Sequence, residues 1–97
     1  MDREKIDRYL AQLGFSGSDK DIVGDMVELY RGQAMKKLYT EIGRKHAMTG
    51  GWTGTRIRQA VVKAWKKSTP EMQRVCTVAC KAPRNRWIIE IVRERVQ

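Results

Sequence analysis

Residues 38–65 read LYTEIGRKHAMTGGWTGTRIRQAVVKAW, and the rest of the chain takes its interpretation from them. Leu38, Tyr39 and Ile42 fall at i, i+1 and i+4. Ile57, Val61, Ala64 and Trp65 fall at i, i+4, i+7 and i+8. Both spacings place apolar side chains on one face of a helix with 3.6 residues per turn. Met48-Thr49-Gly50-Gly51 lies between them and reads as a turn, because glycine takes positive φ without a Cβ clash.

The opposite face of the second helix carries the functional expectation. With Ile57 at zero and an advance of about 100° per residue, the apolar stripe falls between roughly −20° and +80°. Thr55, Arg56, Gln59, Val62, Lys63 and Lys66 then occupy the far side, with Arg58 at its edge. Arginine and glutamine match the paired donor and acceptor edges of purines, and a valine methyl can meet a thymine methyl. A helix, a tight turn and a helix of this kind fit a helix-turn-helix recognition element. An ordinary solvated helix face has the same residue types, so the wider chain must decide between them.

Ninety-seven residues admit one domain with a modest core. No run approaches the length of a membrane span, and the charged start MDREKIDRYL does not read as a signal peptide. A cytoplasmic protein is expected. The net charge of +9 is unevenly spread. Residues 1–31 hold five Lys/Arg against seven Asp/Glu, whereas residues 32–97 hold fifteen against four. A basic half that contains the suspected recognition helix is the electrostatic footprint of a phosphate backbone. No helix has the large exposed apolar face of a membrane-surface element, so nucleic acid is the expected partner.

Helices are read at about 3–13, 19–30, 34–47, 53–66, 70–80 and 86–96, with no convincing strand. The first carries Ile6, Tyr9, Leu10 and Leu13 and ends at Gly14, with Phe15 as a core anchor. Ser18, with Asp19 and Asp21 behind it, offers an N-cap to the second, which buries Ile22, Val23, Met26 and Val27 and exposes Asp25 and Glu28. Either Thr49 or Thr53 could cap the recognition helix, and glycines there would let backbone N–H groups approach a phosphate. Thr69-Pro70-Glu71 is a clear helix start. Asn85 can cap the last helix, which buries Ile88, Ile89, Ile91 and Val92.

The two cysteines, Cys76 and Cys80, are four apart on that fifth helix, a poor frame for a disulfide. As metal ligands they lack partners beyond the single His46, so both read as small core residues and no metal or cofactor is expected. No Ser/His/Asp or Cys/His set suggests an enzyme or a small-molecule substrate, and His46 reads as a helix-terminal or solvated residue.

Several blocks together resemble the DNA-binding effector domain of stage-zero sporulation protein A, the response regulator of endospore-forming Firmicutes. Leu13-Gly14-Phe15 is similar to the family's apolar-Gly-apolar close of its first helix. Leu38-Tyr39, Ile42 and Lys45 resemble its Leu-Tyr-x-x-Ile-Ala-x-Lys helix. Ile57-Arg58-Gln59-Ala60-Val61 with Ala64-Trp65 resembles its recognition helix, and Lys81, Asn85, Ile88-Ile89 and Val92 resemble its ending. The resemblance implies an all-α, six-helix domain with a helix-turn-helix in the major groove, acting as a transcriptional regulator in a bacterial cytoplasm, on the nucleoid when DNA-bound. It implies base-reading or phosphate-holding roles for Arg58 and Gln59. Thr55 stands where the family has arginine, the segment between the second and third helices is shorter, and Gly50-Gly51-Trp52-Thr53-Gly54 replaces polar and charged residues. The family's receiver domain is not in the sequence, so control by phosphorelay is not implied.

The expected base-reading set is therefore Thr55, Arg56, Arg58, Gln59, Val62 and Lys63. The expected phosphate set is Lys36, Lys37, Arg44, Lys45, Thr49, Lys66, Lys81, Arg84 and Arg86. Double-stranded DNA is the expected partner, and a homodimer on tandem or palindromic sites is compatible with it. The competing expectation is a protein–protein module that keeps the fold without specific DNA binding.

Overall fold

The structure, a computed structural model, describes residues 2–76 and 81–96. The apolar stripes become six helices: α1 (Arg3–Leu13), α2 (Gly17–Leu29), α3 (Met35–His46), α4 (Gly50–Lys67), α5 (Pro70–Val75) and α6 (Asn85–Val96). No strand occurs among the described residues, and none of the helices there is long and apolar enough to cross a membrane. Side chains at helical spacing form one core: Ile6, Leu10 and Leu13 from α1, Leu38 and Ile42 from α3, Ile57 and Val61 from α4, Ile88, Ile89 and Val92 from α6. Phe15 joins it as expected. Trp65, expected inside, is only half-buried at its edge.

At the centre lies α2, which touches α1, α3, α4 and α6. Its residues Ile22 to Val27 are buried without interruption, as in a helix covered on most sides. Asp25 is among them at 3 % exposure, which overturns its reading as a solvent-facing residue. A buried carboxylate is costly unless it is paired and hydrogen-bonded, and Asp25 is both. Its Oδ1 accepts from Arg3 Nη1 at 2.8 Å and Lys45 Nζ at 2.9 Å, and its Oδ2 from His46 Nε2 at 2.6 Å. Burial alone would raise its pKa; the hydrogen bonds from Arg3, Lys45 and His46 outweigh it and hold the carboxyl below its ordinary value. Arg3 also reaches Asp7 and the Asp21 carbonyl, both at 3.0 Å, and lies flat over Gly24, where a Cβ would strike its guanidinium. One carboxylate thus ties α1 and α3 to the central helix.

Local caps set the helix ends. Asp2 Oδ1 accepts from Glu4 N at 2.9 Å, and Thr69 Oγ1 from Met72 N at 3.2 Å with Pro70 following. Gly14 closes α1 at φ 110°, and Phe15 N–H returns to the Leu10 carbonyl at 3.0 Å. That glycine has a second duty: a Cβ there would lie 2.9 Å from the Ala64 carbonyl of α4. Lys67 Nζ donates to the Gly14 carbonyl at 2.7 Å, so the end of α4 is pinned to the end of α1.

Several boundaries differ from the sequence reading. Ser16, not Ser18, precedes α2, without a side-chain capping bond. The described part of α5 ends at Val75, with Cys76 extended and half-buried against the core; the rest of the expected helix 70–80, Cys80 included, lies outside the described residues. Asn85 is the first residue of α6 rather than its cap, and its Nδ2 donates to Tyr39 Oη at 3.0 Å.

Candidate nucleic-acid interface

The most extensive helix pair is α3 with α4, joined through Ala47, Met48 and Thr49. Ala47 turns the chain at φ 56°, and Met48 N–H donates to the Gly43 carbonyl at 2.7 Å. Thr49 resolves the ambiguous start of α4: its Oγ1 accepts from Trp52 N at 3.2 Å, and the helix begins at Gly50 rather than at 53. Thr53 is buried instead, its hydroxyl donating to the Thr49 carbonyl at 2.8 Å.

Glycines let the two helices meet. A Cβ at Gly43 would collide with the Met48 carbonyl and stand 2.7 Å from Thr53 Oγ1. One at Gly50 would meet Thr40 Oγ1 at 2.7 Å, and one at Gly54 the Tyr39 ring at 3.0 Å. Gly50, which the sequence suggests as a turn residue, and Gly54 therefore serve close approach inside a helix.

An open groove of about 1180 Å³ runs between α3 and α4. Lys36, Tyr39 and Thr40 line one wall and Thr55, Arg58, Gln59, Val62, Lys63 and Lys66 the other, with Gly50, Gly51, Gly54 and Asn85 along it. Four of these residues are basic and none is acidic. The whole of α4 repeats that imbalance, with Arg56, Arg58, Lys63, Lys66 and Lys67 and no Asp or Glu in eighteen residues.

The expected base-reading residues divide into two groups. Gln59 and Lys63 are exposed, and Val62 is half-buried in the groove wall. Thr55 is exposed, but its hydroxyl donates to the Gly51 carbonyl at 3.2 Å. Arg56 is turned away into an ion pair with Asp19 at 2.7 Å, with Ser18 Oγ at 3.1 Å. Arg58 donates to the carbonyls of Pro83 and, at 3.4 Å, Ala82. Both arginines thus brace α4, one against α2 and the other against the connector to α6.

The expected phosphate set divides likewise. Lys36, Lys37, Arg44, Lys66, Lys81 and Arg84 are exposed and form no ion pair among the described residues. Lys45 is bonded to Asp25, Arg86 lies 3.3 Å from Tyr30 Oη and 3.8 Å from Glu90, and the exposed Thr49 accepts its capping bond from Trp52 N. His46 is the last residue of α3, at a helix end as expected, and is also a partner of the buried Asp25. Sequence reasoning overlooked Trp52, which stands 51 % exposed in the first turn of α4. Its signal was present, since on the helical wheel it falls beside Gln59 once α4 is started at residue 50.

No family model matches the chain, and neither do any curated protein or any solved structure at a meaningful level of similarity.

Proposed function

We propose that the protein binds double-stranded DNA, with α3 and α4 acting as a helix-turn-helix and the outward face of α4 entering the major groove. The observation that carries this reading is the surface of α4 and its groove: Lys36, Lys63 and Lys66 are exposed cations, Gln59 is exposed beside them, and no carboxylate interrupts them. A duplex offers one negative charge per about 1.7 Å of axis, the complement of such a surface. Gln59 is the base reader, suited to the paired edge of adenine, with Lys63 beside it and Val62 against thymine. Lys36, Lys37, Arg44 and Lys66 hold phosphates around α4, and Lys81 and Arg84 extend the footprint. Sequence-specific transcriptional regulation follows as the role, in agreement with the resemblance to the sporulation effector domain.

Duplexes selected by the protein from a random pool, titrated across salt concentration, test the reading. Binding should weaken with a log–log slope of about −3 to −6, each phosphate contact contributing about −0.9. Gln59→Ala should lose about 1–3 kcal/mol on the selected site and little on random DNA. Binding that is absent, or indifferent to salt, overturns the proposal and leaves the protein–protein module as the better account.

A further inference from the structure

Trp52 is the large apolar side chain that the described residues leave in solvent, at 51 % exposure. Its backbone is fixed, because Thr49 Oγ1 accepts from Trp52 N at 3.2 Å. Beside it the surface is open: a Cβ on Gly51 would meet nothing within 4 Å. At about 100° per residue Trp52, Gln59 and Lys63 share roughly 40° of arc, and at about 1.5 Å per residue they extend over some 16 Å of the axis. The indole therefore stands at the N-terminal end of the face that carries the exposed Gln59. In a recognition helix the N-terminal residues are the ones that reach base edges.

We propose that Trp52 makes a second apolar base contact of this face, apart from that of Val62, laying its indole against the 5-methyl group of a thymine in the major groove; the inference rests on the DNA-binding reading above. Charge complementarity selects a duplex as the occupant, since the helix that presents Trp52 exposes Lys63 and Lys66 and has no carboxylate. Thymine is the base that offers an apolar group in the major groove. The indole covers that methyl and excludes water from it.

The test uses a duplex selected by the intact protein, in which each thymine is replaced singly by deoxyuridine, removing only the methyl. At a position whose penalty Val62→Ala retains, the parent should bind about fourfold more weakly, the effect of one buried methyl-sized group. Trp52→Ala should be insensitive at that same position, and Trp52→Phe should keep part of the effect. Helical content and melting midpoint of both variants establish that they fold, and the deoxyuridine series on the parent needs no variant. A parent that binds the selected duplex but is indifferent to uracil everywhere overturns the role of Trp52 alone. So does a Trp52→Ala protein that keeps the parent's uracil penalty at every position. A parent that binds no duplex overturns both this inference and the reading beneath it.

Discussion

Replacing Asp25 by asparagine keeps the shape of the side chain and removes its charge, stranding the three cationic or donor groups gathered around it. Removing one partner of a buried pair costs about 3–5 kcal/mol when the remaining charge stays buried. Here the side chains of Arg3, Lys45 and His46 are 27 %, 57 % and 29 % exposed, so water reaches them and the loss should be smaller. About 2–3 kcal/mol is expected, a large part of the ~5–15 kcal/mol that holds a domain together. Urea denaturation followed by far-ultraviolet circular dichroism at pH 7 measures it. The acid limb gives a second reading. The folded Asp25 pKa lies below its ordinary 3.8, so the unfolded chain takes up the proton first. The parent therefore keeps the full contribution above about pH 5 and loses it as pH falls through 3.8 towards the depressed value. Asp25→Asn should flatten that part of the pH dependence. A variant within about 0.5 kcal/mol of the parent at pH 7, or one with the parent's slope below about pH 4, would refute the role given to this carboxylate.

Gly43→Ala should destabilise the α3–α4 pair by about 2–3 kcal/mol, because its Cβ meets the Met48 backbone rather than a side chain that can move; a thermal melt with an unchanged midpoint would contradict this. Arg58→Ala removes two hydrogen bonds to the connector and should cost about 1–2 kcal/mol in urea, while weakening selected and random DNA alike. A loss confined to one base pair would instead make Arg58 a reader. Trp65→Ala should cost about 2 kcal/mol by the same denaturation, below the roughly 3–5 kcal/mol of a fully buried tryptophan, because Trp65 stands at the core's edge.

Periodicity revealed the helices because each has an apolar stripe that only a helix can gather on one side. Ile57, Val61 and Ala64 were readable in this way, and so were Ile88, Ile89 and Val92. The start of α4 was not, because Gly50 and Gly51 are poor helix formers and resemble a turn. The placing of Gly50 and Gly54 depends on Thr40 and Tyr39, side chains of another helix. Asp25 was misread for a related reason: its partners lie 22, 20 and 21 residues away, and no local pattern distinguishes a buried carboxylate from a solvated one. Arg56 and Arg58 looked free on the helical wheel, which fixes direction but not company. Their partners come from α2 and from the connector before α6, 38 and 25 residues distant. What survived is the set that needed only direction: Gln59, Lys63 and Lys66 point outward in both accounts.

The two ends of α4 are held by different neighbours, Gly43 and the Thr49 cap at one and Gly14 with Lys67 at the other. On the proposed DNA-binding reading, a helix clamped at both ends would enter the complex already ordered, and association would involve no folding step. Calorimetry of the selected duplex should then give a small negative heat-capacity change, in proportion to the groove contact alone. The much larger change that accompanies coupled folding and binding would be missing. Discrimination between related sites would reside in how long each complex lasts, with similar association rates for all of them.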